Sequence, residues 1–166
     1  MRWGRSLGKT GFYVGPLLLW MALIFSLSTD AGSAARTRPA VGGIVRRLLP
    51  NADAVLSPDL IERIDWNLRK TGHVTEYAIL AALAYRAFRF GNPTFRSRNL
   101  VGAFFLSVLF AASDEYHQSF HASRGAAAAD VTFDTFGVTT GLLLSLWHQL
   151  HSDLSCKRGR PRKNQD

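Results

Sequence analysis

The sequence predicts an all-α, polytopic membrane bundle of about four transmembrane helices, with short amphipathic helices in the first outer loop. Two observations predict it. Apolar and charged residues are segregated along the chain, whereas a soluble domain mixes them at helical or strand period. Each apolar block is also close to the length that crosses a hydrocarbon core of roughly 30 Å. Bulk numbers hide this pattern: 47% apolar residues and a formal net charge of +8 average to a mean hydropathy near zero. The 166 residues suffice for one domain. The single cysteine, Cys156, excludes an intramolecular disulfide and a cysteine-ligated metal site.

The first block, residues 12–28 (FYVGPLLLWMALIFSLS), carries no charge. Pro16 falls in its first turns, where a helix tolerates it. The basic start (Arg2, Arg5, Lys9) and the small residues Ala31 to Ala35 also fit a cleaved secretory signal. The apolar core exceeds the roughly 7–15 residues of such signals, so a retained span is expected.

The loop 30–71 holds two amphipathic stretches. Ile44, Val45, Leu48 and Leu49 flank Arg46 and Arg47 before Pro50 ends the run. Ser57-Pro58-Asp59 is a helix start, with Ser57 as N-cap and Pro58 at the first helical position. Ile61, Ile64 and Leu68 then share a face. Both stretches are expected as short helices on the membrane surface or as a lid over the bundle.

The remaining spans are residues 72–88, 99–116 and 131–148, which carry charges near their ends around clean apolar middles. Each is slightly short, so the helices should run into the flanks. Residues 1–150 form the membrane domain. Residues 151–166 form a basic tail, expected to be disordered and drawn to anionic lipid. Its KRGRPRKNQD end lacks interleaved aromatics, so no nucleic-acid partner is expected.

Lys and Arg counts set orientation. The N-terminal segment has three, the loop between the second and third blocks has four (Arg86, Arg89, Arg96, Arg98), and the tail has five. These segments share one side if all four blocks span. The expectation is cytoplasmic N- and C-termini, with 30–71 and 117–130 outside. Trp3 and Trp147 suit anchoring at the inner interface.

This topology gathers four sequence-distant polar groups at the outer ends of the helices. Lys70, His73, Glu76 and Tyr77 open the second block at helical spacing. Asp114, Glu115, His117 and Gln118 close the third. Arg124 lies in the outer loop. Asp130 and Asp134 open the fourth, and their stripe continues through Gly137 and Gly141, which would admit a close neighbouring helix. Ionisable groups in a span are costly and face a cavity or each other, which points to a polar pocket.

At these residues the chain resembles the VanZ-like family of small bacterial membrane proteins. The matching stretches are Lys70-Thr-Gly-His73-Val-Thr-Glu76-Tyr77-Ala-Ile-Leu80, Asp114-Glu115-Tyr-His-Gln118-Ser-Phe120, Arg124, and Asp130 through Gly137 to Gly141, with Phe25-Ser26 in the first block. The likeness covers about residues 10–150. The chain departs at His121-Ala122-Ser123, where Pro/Gly-type residues are usual, and at Asp134, where asparagine is commoner. The resemblance implies a protein of the bacterial cytoplasmic membrane engaged in envelope lipid or cell-wall chemistry, with a link to teicoplanin-type glycopeptide resistance.

Three functions are compatible with these residues. In an enzyme acting on a phosphate-containing lipid or lipid-linked precursor, Lys70 and Arg124 hold the phosphate, with Tyr77 beside them. His73 then acts as base or nucleophile, oriented by Glu76 or an aspartate, and Asp114, Glu115, Gln118, Asp130 and Asp134 complete the catalytic set. No cofactor is required, and a divalent cation on the carboxylates is an alternative. In the second, the same pocket binds lipid or lipoglycopeptide without catalysis. In the third, the ion pairs only hold the bundle together.

Overall fold

The computed structural model describes residues 3–29, 33–48, 57–94, 96–121 and 129–158. Arg124, Leu49, Pro50, residues 30–32 and the end of the tail from 159 lie outside the described residues, as do the side chains of Trp3, Ala34, Ala35 and Cys156. The described residues form five helices and no strand: α1 (Trp3–Leu27), α2 (Ala34–Leu48), α3 (Pro58–Gly91), α4 (Arg96–Gln118) and α5 (Asp130–Arg158).

Helix α3 is the hub and packs against each of the other four. Its start is the one expected: Ser57 is extended (φ −71°, ψ 152°) and its Oγ accepts from the Leu60 N–H at 3.2 Å, with Pro58 opening the first turn. It ends at Asn92, whose N–H returns to the Phe88 carbonyl, ahead of Pro93. The helix does not break where the separate amphipathic helix was expected to end. Residues 58–68 and the second span form one rod of 34 residues, about 51 Å long. Nothing between Leu68 and Gly72 carries a stop signal; Arg69 pairs with Asp65 one turn back on the same helix and Lys70 with Asp130 of α5.

Two other boundaries differ from expectation. Helix α1 starts at Trp3, so Pro16 lies in its interior. A mid-helix proline leaves the carbonyl four residues earlier without its donor. That carbonyl belongs to Phe12, and the Arg86 guanidinium of α3 donates to it at 3.2 Å. Arg86 also lies over the rings of Phe12 and Tyr13. The span is kept helical by a neighbour. Helix α5 runs on to Arg158, into the segment expected as a disordered tail. The Arg96–Asp153 ion pair, at 2.7 Å, ties this extension to α4.

The contacts fix helix direction. Trp20 bonds to the Glu76 carbonyl and Tyr13 stacks on Phe90, so α1 and α3 are antiparallel. Tyr77 meets Asp114, and Asn99 bonds back to Asn92, so α3 and α4 are antiparallel. Tyr85 meets Gln149 at one end and Lys70 meets Asp130 at the other, so α3 and α5 are parallel. Helices α1, α3, α4 and α5 therefore alternate in direction. The α3–α5 approach is close because Gly137 and Gly141 face the backbone of Val74 and Ala78, where any Cβ would collide. Helix α2 lies on the N-terminal part of α3, through Arg38 to Glu62 at 2.6 Å and to the buried Asp65 at 3.8 Å.

Polarity is distributed inside out. The buried set includes Asp114, Asp134, Glu115, Gln118, Asn99, Ser107 and Gln149, while Leu19, Phe105, Leu109, Phe136, Leu143 and Leu144 are exposed. Length and composition single out one helix among the described residues as apolar enough to cross a membrane, over Gly8–Leu27. Helices α3 and α5 interleave apolar residues with ionisable ones.

Candidate polar site at one end of the bundle

Three polar contacts climb one end of the bundle at helical spacing. On α3, Lys70, His73 and Tyr77 follow one another at i+3 and i+4. Lys70 Nζ pairs with the Asp130 carboxylate at the start of α5. One turn further in, His73 Nδ1 stands 3.3 Å from Asp134 Oδ1. A further turn in, the Tyr77 hydroxyl donates to Asp114 Oδ2 at 3.2 Å. The glycine contacts between α3 and α5 begin beside this ladder and hold the first two rungs in register.

Asp114 is the innermost anchor. Its Oδ2 accepts from Ser28 Oγ, the residue that follows α1, at 2.7 Å, from Tyr77 of α3, and from Gln118 Nε2 of its own helix at 3.0 Å. The carboxylate is 1% exposed. A buried carboxylate is tolerable only when donors surround its charge, and here α3, α4 and the residue after α1 supply them. Its Oδ1 has no hydrogen-bond donor among the described residues. Asp134 is equally buried, and its Oδ1 faces His73. The Ser28 partner is a residue that sequence reasoning missed, since a lone serine at a helix end carries no signal.

The other expected site residues divide. Glu115 and Gln118 are buried on α4. Glu76 is half-buried on α3, where its backbone carbonyl accepts from Trp20 Nε1. Arg124 lies outside the described residues. Among the described residues no group of three or more His, Cys, Asp or Glu is arranged to hold a metal ion.

Beside the ladder opens a cavity of about 610 Å³, lined by Lys70, Trp66, Asn67, Thr132, Phe133 and Phe136 among others. Lys70 Nζ lies 5.1 Å above the Phe133 ring and 5.8 Å above that of Trp66. Cation–aromatic attraction of this kind holds an ammonium without cancelling its charge. His73, Glu76 and Asp114 do not line this cavity. Trp66 and Phe133 were not expected here, because aromatics on two distant segments show no spacing.

The profile of the VanZ/LLP1 family matches residues 13–149. The chain belongs to the VanZ/LLP1 family. The matched region starts in α1 and ends within α5, so it contains the whole ladder. Comparison with curated proteins and with solved structures gives no match.

Proposed function

We propose that this VanZ/LLP1 protein crosses the cytoplasmic membrane of a bacterium four times, with both termini inside, and binds a phosphate-bearing lipid head group at the outer end of the bundle. The four-span reading rests on packing. Helix α1 alone has a generic span composition, yet α3, α4 and α5 alternate in direction beside it. A bilayer that surrounds α1 therefore encloses the others. Their outward faces are apolar and their charges turn inward, as a lipid solvent requires. Cysteine or reporter tagging at residues 30–71 and 117–130 tests this. Tags accessible only from the cytoplasm would refute it.

The single observation that carries the binding reading is Lys70, set at the edge of the Trp66–Phe133 cavity and, among the described residues, paired only with Asp130. A doubly charged phosphate is a stronger partner for an ammonium at this interface than one partly buried carboxylate, and the rings accept glycerol or acyl carbons. The His73–Asp134 rung keeps α3 and α5 aligned so that the cavity between them exists. Binding of lipid-linked cell-wall precursors or of a lipoglycopeptide uses the same chemistry, and teicoplanin susceptibility of a deletion strain tests that link.

One observation favours catalysis as a second reading. An imidazole 3.3 Å from a buried carboxylate is the pairing that orients a general base. In that case His73 takes the proton of a water or acceptor alcohol, whose oxygen attacks the phosphorus of a phosphodiester and displaces the head-group alcohol, which leaves with that proton, giving cleavage or head-group exchange. This reading needs the phosphodiester to reach from Lys70 one turn inward, since His73 does not line the cavity. Lipid profiles of a deletion strain, restored with wild type or with His73→Ala, separate the two. A lipid product that returns with wild type but not with His73→Ala establishes catalysis. An unchanged lipid profile together with Lys70-dependent lipid binding leaves the binding module.

A further inference from the structure

A groove of about 890 Å³ runs between α3 and α5 from the level of the ladder, at Val74, to the opposite end of the bundle, with Tyr13 of α1 at its edge. Along α3 its lining extends from Val74 to Phe90, about 24 Å of helix. Its polarity is graded. Ile79, Ala82 and Leu144 give an apolar stretch, and Arg86, Arg89 and His148 follow it at the end of the bundle. Among the described residues no acidic side chain lines it. Arg86 is already fixed by the Phe12 carbonyl and the two rings of α1. Arg89 rests 5.9 Å over the Tyr85 ring, and no carboxylate pairs with it among the described residues.

An apolar trough that ends in unneutralised cations matches one molecule in a bilayer. We propose that this groove binds a phospholipid with an anionic head group, its acyl chain along Ile79, Ala82 and Leu144 and its phosphate between Arg89 and His148. Arg86 supplies a second, preorganised cation. Charge favours a lipid over another copy of the chain, since a protein of net charge +8 would bring more cations to a cationic groove. The proposal rests on the membrane reading above but not on the outer head-group site: the two cavities share Val74, while Arg89 lies about 28 Å along α3 from Lys70.

The test uses the full chain in nanodiscs of equimolar phosphatidylcholine and phosphatidylglycerol, extracted gently and weighed by native mass spectrometry. Wild type is expected to retain phosphatidylglycerol preferentially. Arg89→Glu should lower that preference about fivefold or more, the effect of one interfacial cation. Ala82→Phe, which fills the apolar stretch, should lower retention of the bound lipid while leaving the charges intact. Arg89→Gln keeps the test open if charge reversal prevents folding. Equal retention of both lipids by wild type overturns the proposal, as does full preference in the Arg89 and Ala82 variants. Loss of preference in Lys70→Ala alone would place the lipid at the other end and overturn it too. A stable dimer broken by Ala82→Phe, without lipid preference, would assign the groove to a second copy.

Discussion

Asp114 and Arg89 stand at opposite ends of the same bundle and are treated in opposite ways. Asp114 is enclosed, with donors from α3, α4 and the residue after α1 on one oxygen. Arg89 lines an open groove that contains no acid among the described residues. The ladder end ties polar groups together across helices, through Lys70–Asp130, His73–Asp134 and Tyr77–Asp114. The groove end keeps Arg86 and Arg89 beside aromatic rings, and its cross-helix ion pair, Arg96–Asp153, is exposed. The difference follows from dielectric. A charge inside the bundle must be neutralised by fixed partners, so the ladder end is structurally committed. A charge at the rim is solvated and can wait for a ligand, so the groove end can change at little structural cost.

The sharpest way to break this contrast is Asp114→Ala. It strips the acceptor from Ser28, Tyr77 and Gln118 together, and a loss of about 3–5 kcal/mol is expected. Thermal or SDS-driven unfolding in detergent would measure it. A loss under about 1 kcal/mol would mean that the ladder end is not committed. Asp114→Asn, which keeps an acceptor oxygen, should recover part of the loss.

Gly141→Ala comes next. Its Cβ would meet the Ala78 backbone, which cannot swing aside as a side chain would. About 2–3 kcal/mol of destabilisation is expected by overpacking, with a similar value at Gly137. Gly72, which has open space around it, serves as the control: Gly72→Ala should be neutral or stabilising.

His73→Ala removes the middle rung and leaves Asp134 facing an emptied site. About 1–2 kcal/mol should be lost, and Asp134→Asn combined with it should recover part of that. Strict additivity in this double-mutant cycle would show that the rung is not a coupled pair.

The smallest effect belongs to the groove end. Arg96→Ala should shift stability by no more than about 0.5 kcal/mol, since both partners are solvated. A larger shift would make the two ends alike.

Much of the ladder was legible before any packing was known. Lys70, His73 and Tyr77 share a helical face by spacing, as do Asp130 and Asp134, and Gly137 and Gly141 mark the face that meets α3. The N-cap at Ser57 was equally readable, because capping is local chemistry. The failures share a cause. Pro16 seemed harmless only on the assumption that α1 begins at residue 12, and its solution, Arg86, comes from 70 residues away. Ser28 and Trp66 gained their roles from neighbours remote in sequence. The break expected before the second span is absent, since Lys70 and His73 found partners on α5 and Arg69 found Asp65 within α3 instead of water.

The sequence by itself determined which stretches become helices and which end of the bundle collects the carboxylates, because helical period and segregated polarity are properties of neighbours along the chain. The tertiary structure alone decided who pairs with whom, and therefore which end is closed. Only the approach of α5 to α3 through two glycines turns Asp130 and Asp134 toward Lys70 and His73, and only the turn of α1 onto α4 gives Asp114 its third donor. A single chain segment cannot specify that, since the stabilisation of a buried charge depends on every helix that surrounds it.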